Sequence, residues 1–216
     1  MSGGNTVIVD YRLGNLFSVE RAQHKIGASN TLISNDKKVI ENADRLIIPG
    51  VGAYGDGMNN LRELGIIDTI KTYAASGRPV LGVCLGMQMM MSESDEFGRN
   101  EGLGLVSGKV TRLETYGDAR IKVPHIGWNT LSPAESPENL WSGSVLQGLE
   151  DGSHMYFLHS HIAVPDDFSV ALATTTYGDN VYCSAFKQGN LTGVQFHPER
   201  SGKEGLSIYA SFVKET

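Results

Sequence analysis

The sequence is short of cysteine and of positive charge, and it has no long apolar run. Two cysteines, Cys84 and Cys183, stand among 216 residues. They allow one disulfide at most, which excludes a small secreted scaffold stapled by several bridges. Eighteen Lys and Arg face 24 Asp and Glu, a formal net charge of −6. A dedicated nucleic-acid binder would carry a basic excess, so no nucleic-acid partner is expected. No stretch reaches the roughly 20 apolar residues that a bilayer span needs. The opening Met1-Ser2-Gly3-Gly4-Asn5 has neither a basic region nor an apolar one. No secretory signal and no membrane association are therefore expected, and a reduced, cytoplasmic setting is. Against these absences stand 40% hydrophobic and 19% charged residues, enough to bury a core in one domain over residues 1–216.

The first half alternates short apolar runs with helical periodicity. Strands are expected at Thr6–Asp10, Thr31–Ile33, Arg45–Ile48 and Pro79–Val83. Helices are expected over Asn15–Ile26, over Met58–Ala75 with a break near Gly65, and from Leu85 to Met91. Repeated β–α units predict a parallel sheet covered on both faces. After Gly108 the pattern changes to β-branched stretches between Gly, Pro, Asp and Asn: Val110–Leu113, Trp128–Leu131, Met155–Leu158, Val170–Thr176, Tyr182–Lys187 and Leu191–Phe196. These predict largely antiparallel strands. Glu204–Lys214 reads as a closing helix with Leu206, Tyr209, Ala210 and Val213 on one side, and Ser132–Gly152, with Pro133 and Pro137, as a surface excursion.

The most informative segment is Gly82-Val83-Cys84-Leu85-Gly86. It follows an apolar strand and precedes a helix, matching the G-x-nucleophile-x-G elbow with Cys in place of Ser. Such a turn sets the sulfur at a helix N-terminus and aims the Leu85 N–H at a developing oxyanion. A buried structural cysteine is the plain alternative. Gln195-Phe196-His197-Pro198-Glu199 supplies what a nucleophile needs. His197 ends a strand as the base, and Glu199, two positions on, can orient it. Gln88 lies one helical turn after Cys84, placed to bind a polar substrate or simply solvated. Gly50-Val51-Gly52-Ala53-Tyr54-Gly55 spells G-x-G-x-x-G. It follows the third strand and lacks the later acidic residue of a dinucleotide site, so an oxyanion loop is the better reading. Met87, Met89, Met90 and Met91 read as core. His159 and His161 have zinc-like spacing but no third ligand nearby, so neither metal nor cofactor is expected. Cys183 has no elbow and no base. Trp128, in a Gly- and His-rich segment, is either an interface anchor or core.

Taken together, these residues resemble the class I (triad) glutamine amidotransferases. The elbow, the Gln four positions on and the late His-Pro-Glu carry the superfamily resemblance. More specific are Asp10-Tyr11-Arg12-Leu13-Gly14-Asn15, Pro49-Gly50-Val51-Gly52, Gly102-Leu103-Gly104-Leu105, Pro124-His125-Ile126-Gly127-Trp128-Asn129 and Tyr156-Phe157-Leu158-His159-Ser160. The similarity runs from Val7 to the final helix. It implies a three-layer α/β/α, flavodoxin-like fold with a mixed central sheet. It implies hydrolysis of L-glutamine, with Cys84 as nucleophile, His197 as base and Glu199 as orienter. By position, Gln88 and Glu96 match substrate-binding residues, as do His159 and Ser160 beside the substrate carboxylate. Val51, Gly52 and Leu85 match the oxyanion site, and Trp128 the face toward a synthase. Within the family the resemblance is closest to the member that feeds ammonia to a separate (β/α)8-barrel cyclase subunit in histidine synthesis. The family more often has an aromatic residue where this chain has His161. A paralogue serving another synthase, such as one making nitrogenous surface sugars, shares these motifs. A cysteine peptidase-like thiol hydrolase could use the same triad, and the complete triad speaks against a non-catalytic binding subunit.

Overall fold

Alternation within three short strands builds the core. In β1 (Thr6–Val9), β3 (Arg45–Ile48) and β4 (Val80–Val83), every residue is buried. Val7, Val9, Leu46, Ile48 and Val80 pack to one side of the sheet, and Ile8, Ile47, Leu81 and Val83 to the other. A strand with apolar residues on both faces must be covered twice. One face meets α2 (Lys37–Glu41), α3 (Tyr54–Glu63), α4 (Ile67–Ala75) and α5 (Leu85–Met89) through Ile40, Met58, Leu61, Ile70 and Met87. The other meets α1 (Leu16–Lys25) and α6 (Gly202–Phe212) through Val19, Ala22, Ile208 and Phe212. This computed structural model describes residues 4–115, 117, 121–134 and 141–215.

The result is a three-layer α/β/α sandwich on a mixed sheet of eight described strands, in the order β2-β1-β3-β4-β14-β13-β12-β9. Here β2 is Thr31–Ser34, β9 Ser132–Pro133, β12 Ala171–Tyr177, β13 Asn180–Gln188 and β14 Leu191–Val194. The strands from β2 to β14 run parallel, and those from β14 to β9 antiparallel. The largely antiparallel expectation for the second half holds for Leu191–Val194 on its β13 side alone. This strand is parallel to β4, with Gly193 beside Gly82.

Two smaller sheets sit at the strand ends. One pairs β8 (His125–Thr130) with β10 (His154–His159). The other orders β11 (His161–Pro165), β7 (Gly108–Arg112), β5 (Glu93–Ser94) and β6 (Asn100–Glu101). Two expectations need correction. Residues 141–149 are not a surface excursion, because Trp141, Val145, Leu146 and Leu149 enter the core and Trp141 Nε1 donates to Leu172 O. Successive turns, closed by Ser144 N to Trp141 O, Gln147 N to Ser144 O and Leu149 N to Leu146 O, carry these side chains inward; Pro137 lies outside the described residues. The buried face of α6 is Gly205, Ile208, Tyr209 and Phe212, one residue round from the face expected. Among the described residues no helix is long and apolar enough to cross a membrane.

Candidate active site

Cys84 sits on the turn between β4 and α5 with φ +51° and ψ −107°. A residue with a Cβ rarely adopts this region, and such strain is characteristic of a nucleophile elbow. The flanking glycines make the turn possible. A Cβ on Gly86 would lie 1.7 Å from Ile48 O, and one on Gly82 would lie 2.8 Å from the Met87 backbone. The Cys84 N–H donates to Val194 O at 2.8 Å, which ties the elbow to the end of β14.

Just past that strand lies His197. Its N–H donates to Tyr156 O at 2.9 Å, and Ser201 Oγ donates to its carbonyl at 2.6 Å. Its Nδ1 is 2.9 Å from Glu199 Oε1, with both side chains almost wholly sequestered. Glu199 Oε2 accepts from Tyr209 OH at 3.3 Å. The carboxylate therefore fixes Nδ1 as the protonated nitrogen and leaves Nε2 for the reaction. That Nε2 is buried without a hydrogen-bond partner. Burial works against a charge on His197, but the neighbouring Cys84 and Glu199 outweigh it and raise its pKa to about 10.

A cleft of about 300 Å³ opens over the sulfur, a size suited to a small molecule. Its walls bring together Cys84, Leu85, Gln88, Glu96, Val51, Gly52, His159 and Ser160, eight of the residues singled out from sequence. Gln88 is buried, with its Nε2 donating to His161 O at 2.8 Å and to Gln195 Oε1 at 3.1 Å. Both amide protons are thereby spent, and only its oxygen remains to accept from a ligand. Glu96 Oε1 lies 3.2 Å from His161 Nδ1, and Glu96 Oε2 accepts from Tyr54 N at 2.6 Å. Partial burial resists ionisation of Glu96, but these two donors prevail and lower its pKa. The cleft thus holds a carboxylate aimed at a cationic group.

His159 lines the cleft, but both of its ring nitrogens are already engaged. Its Nδ1 is 3.0 Å from His161 O and its Nε2 3.2 Å from Tyr182 OH, so the ring is committed within the protein. Burial lowers its pKa to about 3, and that of His125 to about 4. His125 Nδ1 lies 3.1 Å from the same Tyr182 hydroxyl. Both rings are buried and neutral at ordinary pH. Cys183 is also core, its thiol pushed up to about 12 by burial.

The Gly50–Gly52 segment, expected to form the oxyanion site, is tied to its neighbours. Leu85 N donates to Gly50 O at 3.4 Å, Tyr11 OH donates to Pro49 O, and Gly52 holds φ +124°. Trp128 lies outside the cleft. It is 56% exposed on β8, beside the 59% exposed Ile126. It meets Tyr156 edge-on at 6.1 Å, and Arg200 stacks on Tyr156 at 4.2 Å. Sequence reasoning missed Gln195, Ser201, Tyr182 and Tyr209. For Gln195 a signal existed, since strand parity puts it on the same side as His197.

Comparison with known proteins agrees with this geometry. The family model described as glutamine amidotransferase class-I matches residues 7–216. A protein from Legionella pneumophila (strain Lens), imidazole glycerol phosphate synthase subunit HisH 1, is 46% identical over 96% of this chain and 97% of its own. The HisH subunits of Sulfurimonas denitrificans and Aquifex aeolicus are 45% and 41% identical, over at least 96% of both chains. Among solved structures, one titled as a glutamine amidotransferase has a TM-score of 0.70 at 22% identity, covering 94% of this chain and 96% of its own. The structure of PurLQS from Thermotoga maritima has a TM-score of 0.67 at 21% identity, covering 97% of each chain. At those identities the likeness is one of fold.

Proposed function

The chain belongs to the class-I glutamine amidotransferase family, and from that premise we propose that it is the glutaminase subunit of an imidazole glycerol phosphate synthase. It hydrolyses L-glutamine to glutamate and ammonia. The ammonia passes to a separate (β/α)8-barrel cyclase subunit, for formation of imidazole glycerol phosphate and aminoimidazole carboxamide ribotide in histidine synthesis. The near full-length likeness to HisH subunits supports the partner and the pathway. The observation that carries the chemistry is a cysteine at a positive-φ elbow, opening into one cleft with Gln88 and Glu96 and backed by a sequestered His197–Glu199 pair.

In the proposed reaction Glu96 takes the α-ammonium of glutamine and the Gln88 oxygen accepts a further N–H. The Cys84 thiolate attacks the side-chain carboxamide carbon, and the carbonyl oxygen takes the negative charge. His197 gives a proton from Nε2 to the departing nitrogen, so that the C–N bond breaks and ammonia leaves a γ-glutamyl thioester. His197 then takes a proton from water, whose oxygen attacks the thioester and releases glutamate and thiolate. Acid–base help of this kind contributes roughly 10²–10⁴-fold. The oxyanion donors are the Leu85 and Val51 N–H groups. The first is engaged by Gly50 O in a 3.4 Å bond, long enough to be weak. Rotation of the Gly50–Val51 peptide, permitted by Gly52, frees Leu85 and turns the Val51 N–H inward. We assign this rotation to docking of the loaded cyclase, which limits wasteful release of ammonia. Residues 1–216 act as one domain without a cofactor, and a free thiol of this kind suits a cytoplasmic setting.

The test is glutamate release by the chain mixed with a cyclase barrel, with and without the cyclase's nucleotide ligand. Stimulation by the loaded barrel is expected. In Cys84→Ala, glutamine-dependent turnover vanishes, while the pair still works on ammonia supplied directly. Glutamate release by Cys84→Ala at the wild-type rate would overturn the assignment.

A further inference from the structure

Gln195 is fully buried beneath the cleft, yet the proposed reaction gives its side chain nothing to do. Its Nε2 is 3.6 Å from Cys84 Sγ, and its Oε1 accepts from Gln88 Nε2 at 3.1 Å. An amide can be turned end for end at little steric cost, so its orientation has to come from its partners. Here one partner is unambiguous. The backbone carbonyl of His161 only accepts, and Gln88 Nε2 lies 2.8 Å from it. Gln88 must therefore present its NH2 group on this side. The same NH2 group then faces Gln195, which must answer with its oxygen. With its oxygen so placed, the Gln195 NH2 group faces the sulfur. A single peptide carbonyl on β11 thus sets the polarity of two buried amides in series, ending in an N–H aimed at the nucleophile.

We propose that Gln195 is a positioning residue that donates a hydrogen bond to the Cys84 sulfur and is held in that orientation by a relay from His161 O through Gln88. The proposal rests on the glutaminase reading for its meaning, but not for its test. An N–H can donate to the sulfur in the thiolate form that reacts, so the relay gives the attacking sulfur a fixed direction. The thiol also faces Leu158 O at 3.7 Å, an acceptor that a sulfur can donate to only while it keeps its proton. Gln195 and Leu158 O therefore pull in opposite senses. Among the titratable groups around the sulfur, Tyr11 and Tyr182 have pKa values raised by burial and then by Cys84, and His197 has one raised against burial by Cys84 and Glu199. Gln195 differs from them in having no charge of its own to change. Because Gln88 also lines the cleft, a ligand hydrogen-bonded to Gln88 oxygen would tighten the same series and so report its arrival to the nucleophile.

The experiment is alkylation of Cys84 by iodoacetamide in the free chain, with Cys183→Ser as background so that one thiol is counted. This readout needs neither glutamine nor the cyclase. Gln195→Met keeps length and bulk but neither donates nor accepts. It is expected to slow alkylation about tenfold or more, the range for a lost hydrogen bond to a charged group. Gln88→Met leaves Gln195 free to turn over and is expected to slow alkylation in the same direction by less. The double variant should be no slower than Gln195→Met alone, because the two act in series. Independent structural losses would instead multiply. Wild-type alkylation in Gln195→Met, or multiplying effects in the double variant, overturns the relay. If Gln195→Met does not fold, Gln88→Met decides, and an unchanged rate there is equally fatal. A wild-type chain that releases no glutamate with the loaded cyclase, while the alkylation pattern holds, would sink the glutaminase reading and leave the relay standing.

Discussion

At φ +51° the Cys84 backbone depends on its glycine neighbours more than on the thiol itself. Gly86 packs so closely on Ile48 that an added Cβ would overlap the carbonyl oxygen of a central strand. That oxygen is backbone within the sheet and has nowhere to move. Gly86→Ala is therefore expected to cost about 2–3 kcal/mol, typical of overpacking, while Cys183→Ser at a site without elbow or base stays close to wild type in activity. Urea unfolding checks the first and a glutaminase assay the second, and a Gly86→Ala chain as stable as wild type would mean that the elbow is looser than this packing implies. The triad residues are expected to behave as a unit. His197→Ala loses glutaminase activity about as completely as Cys84→Ala, and the double variant is no slower than either. Glu199→Gln is milder, because the carboxylate orients His197 without taking its proton. Single-turnover rates decide this, and a double variant markedly slower than both singles would contradict a shared step.

Single elements differ in how openly the sequence announces them. β1, β3 and β4 are short apolar runs between turn residues, and their positions follow from that pattern alone. So does the elbow, because Gly-x-Cys-x-Gly at the end of such a run has few other uses. The orientation of β14 has no local signal. Leu191–Val194 is preceded by a hairpin from β13, yet its other partner is β4, more than a hundred residues earlier. Only the assembled sheet makes it parallel. α2 and β5, at five and two residues, are too short for periodicity to register. For α2 a cap was nonetheless present, since the Asp36 side chain accepts from Val39 N. Glu96 and Ser160 line the cleft from irregular stretches beside β5 and β11, where no periodicity points to them; only the family resemblance did. The Tyr182 hydroxyl bridges His159 on β10 and His125 on β8, a meeting of three strands that spacing cannot foresee. Tyr182→Phe leaves both rings short of a partner and is expected to destabilise by about 1–3 kcal/mol. Denaturant midpoints measure it, and an unchanged midpoint would show that the bridge adds nothing.

For the molecule as a whole, stability and partner binding should respond to different perturbations. His125 and His159 have folded pKa values of about 4 and 3, below the ordinary 6.5. Their contribution is present above pH 6.5 and is lost as pH falls from there toward 3, because the unfolded chain takes up protons that the fold refuses. His197, at about 10, has the opposite sign. Its contribution is full below pH 6.5 and is lost as pH rises toward 10. The melting temperature is thus expected to peak near pH 6.5. Up to about pH 8, before cysteines and tyrosines of the unfolded chain ionise, the alkaline decline belongs to His197. Cys84→Ala should flatten that limb, and a limb unchanged in Cys84→Ala would show that the pairing with Cys84 is not what holds the imidazolium. Partner binding is expected to draw on a separate surface. Trp128 and Ile126 project from β8 beside Tyr156, and the Tyr156 carbonyl accepts from the His197 N–H. The exposed aromatic patch therefore rests on the strand that holds His197. Large aromatics of this kind dominate interface energies, and truncating one costs about 2 kcal/mol or more. Trp128→Ala is expected to weaken cyclase binding by that amount and to reduce ligand-stimulated glutamate release. The isolated chain should melt at nearly the wild-type temperature, since a side chain 56% exposed contributes little to the core. Titrating the cyclase into wild type and variant, beside a melting curve of each alone, separates the outcomes. Unchanged affinity removes Trp128 from the interface, and a large fall in melting temperature makes it a structural residue instead.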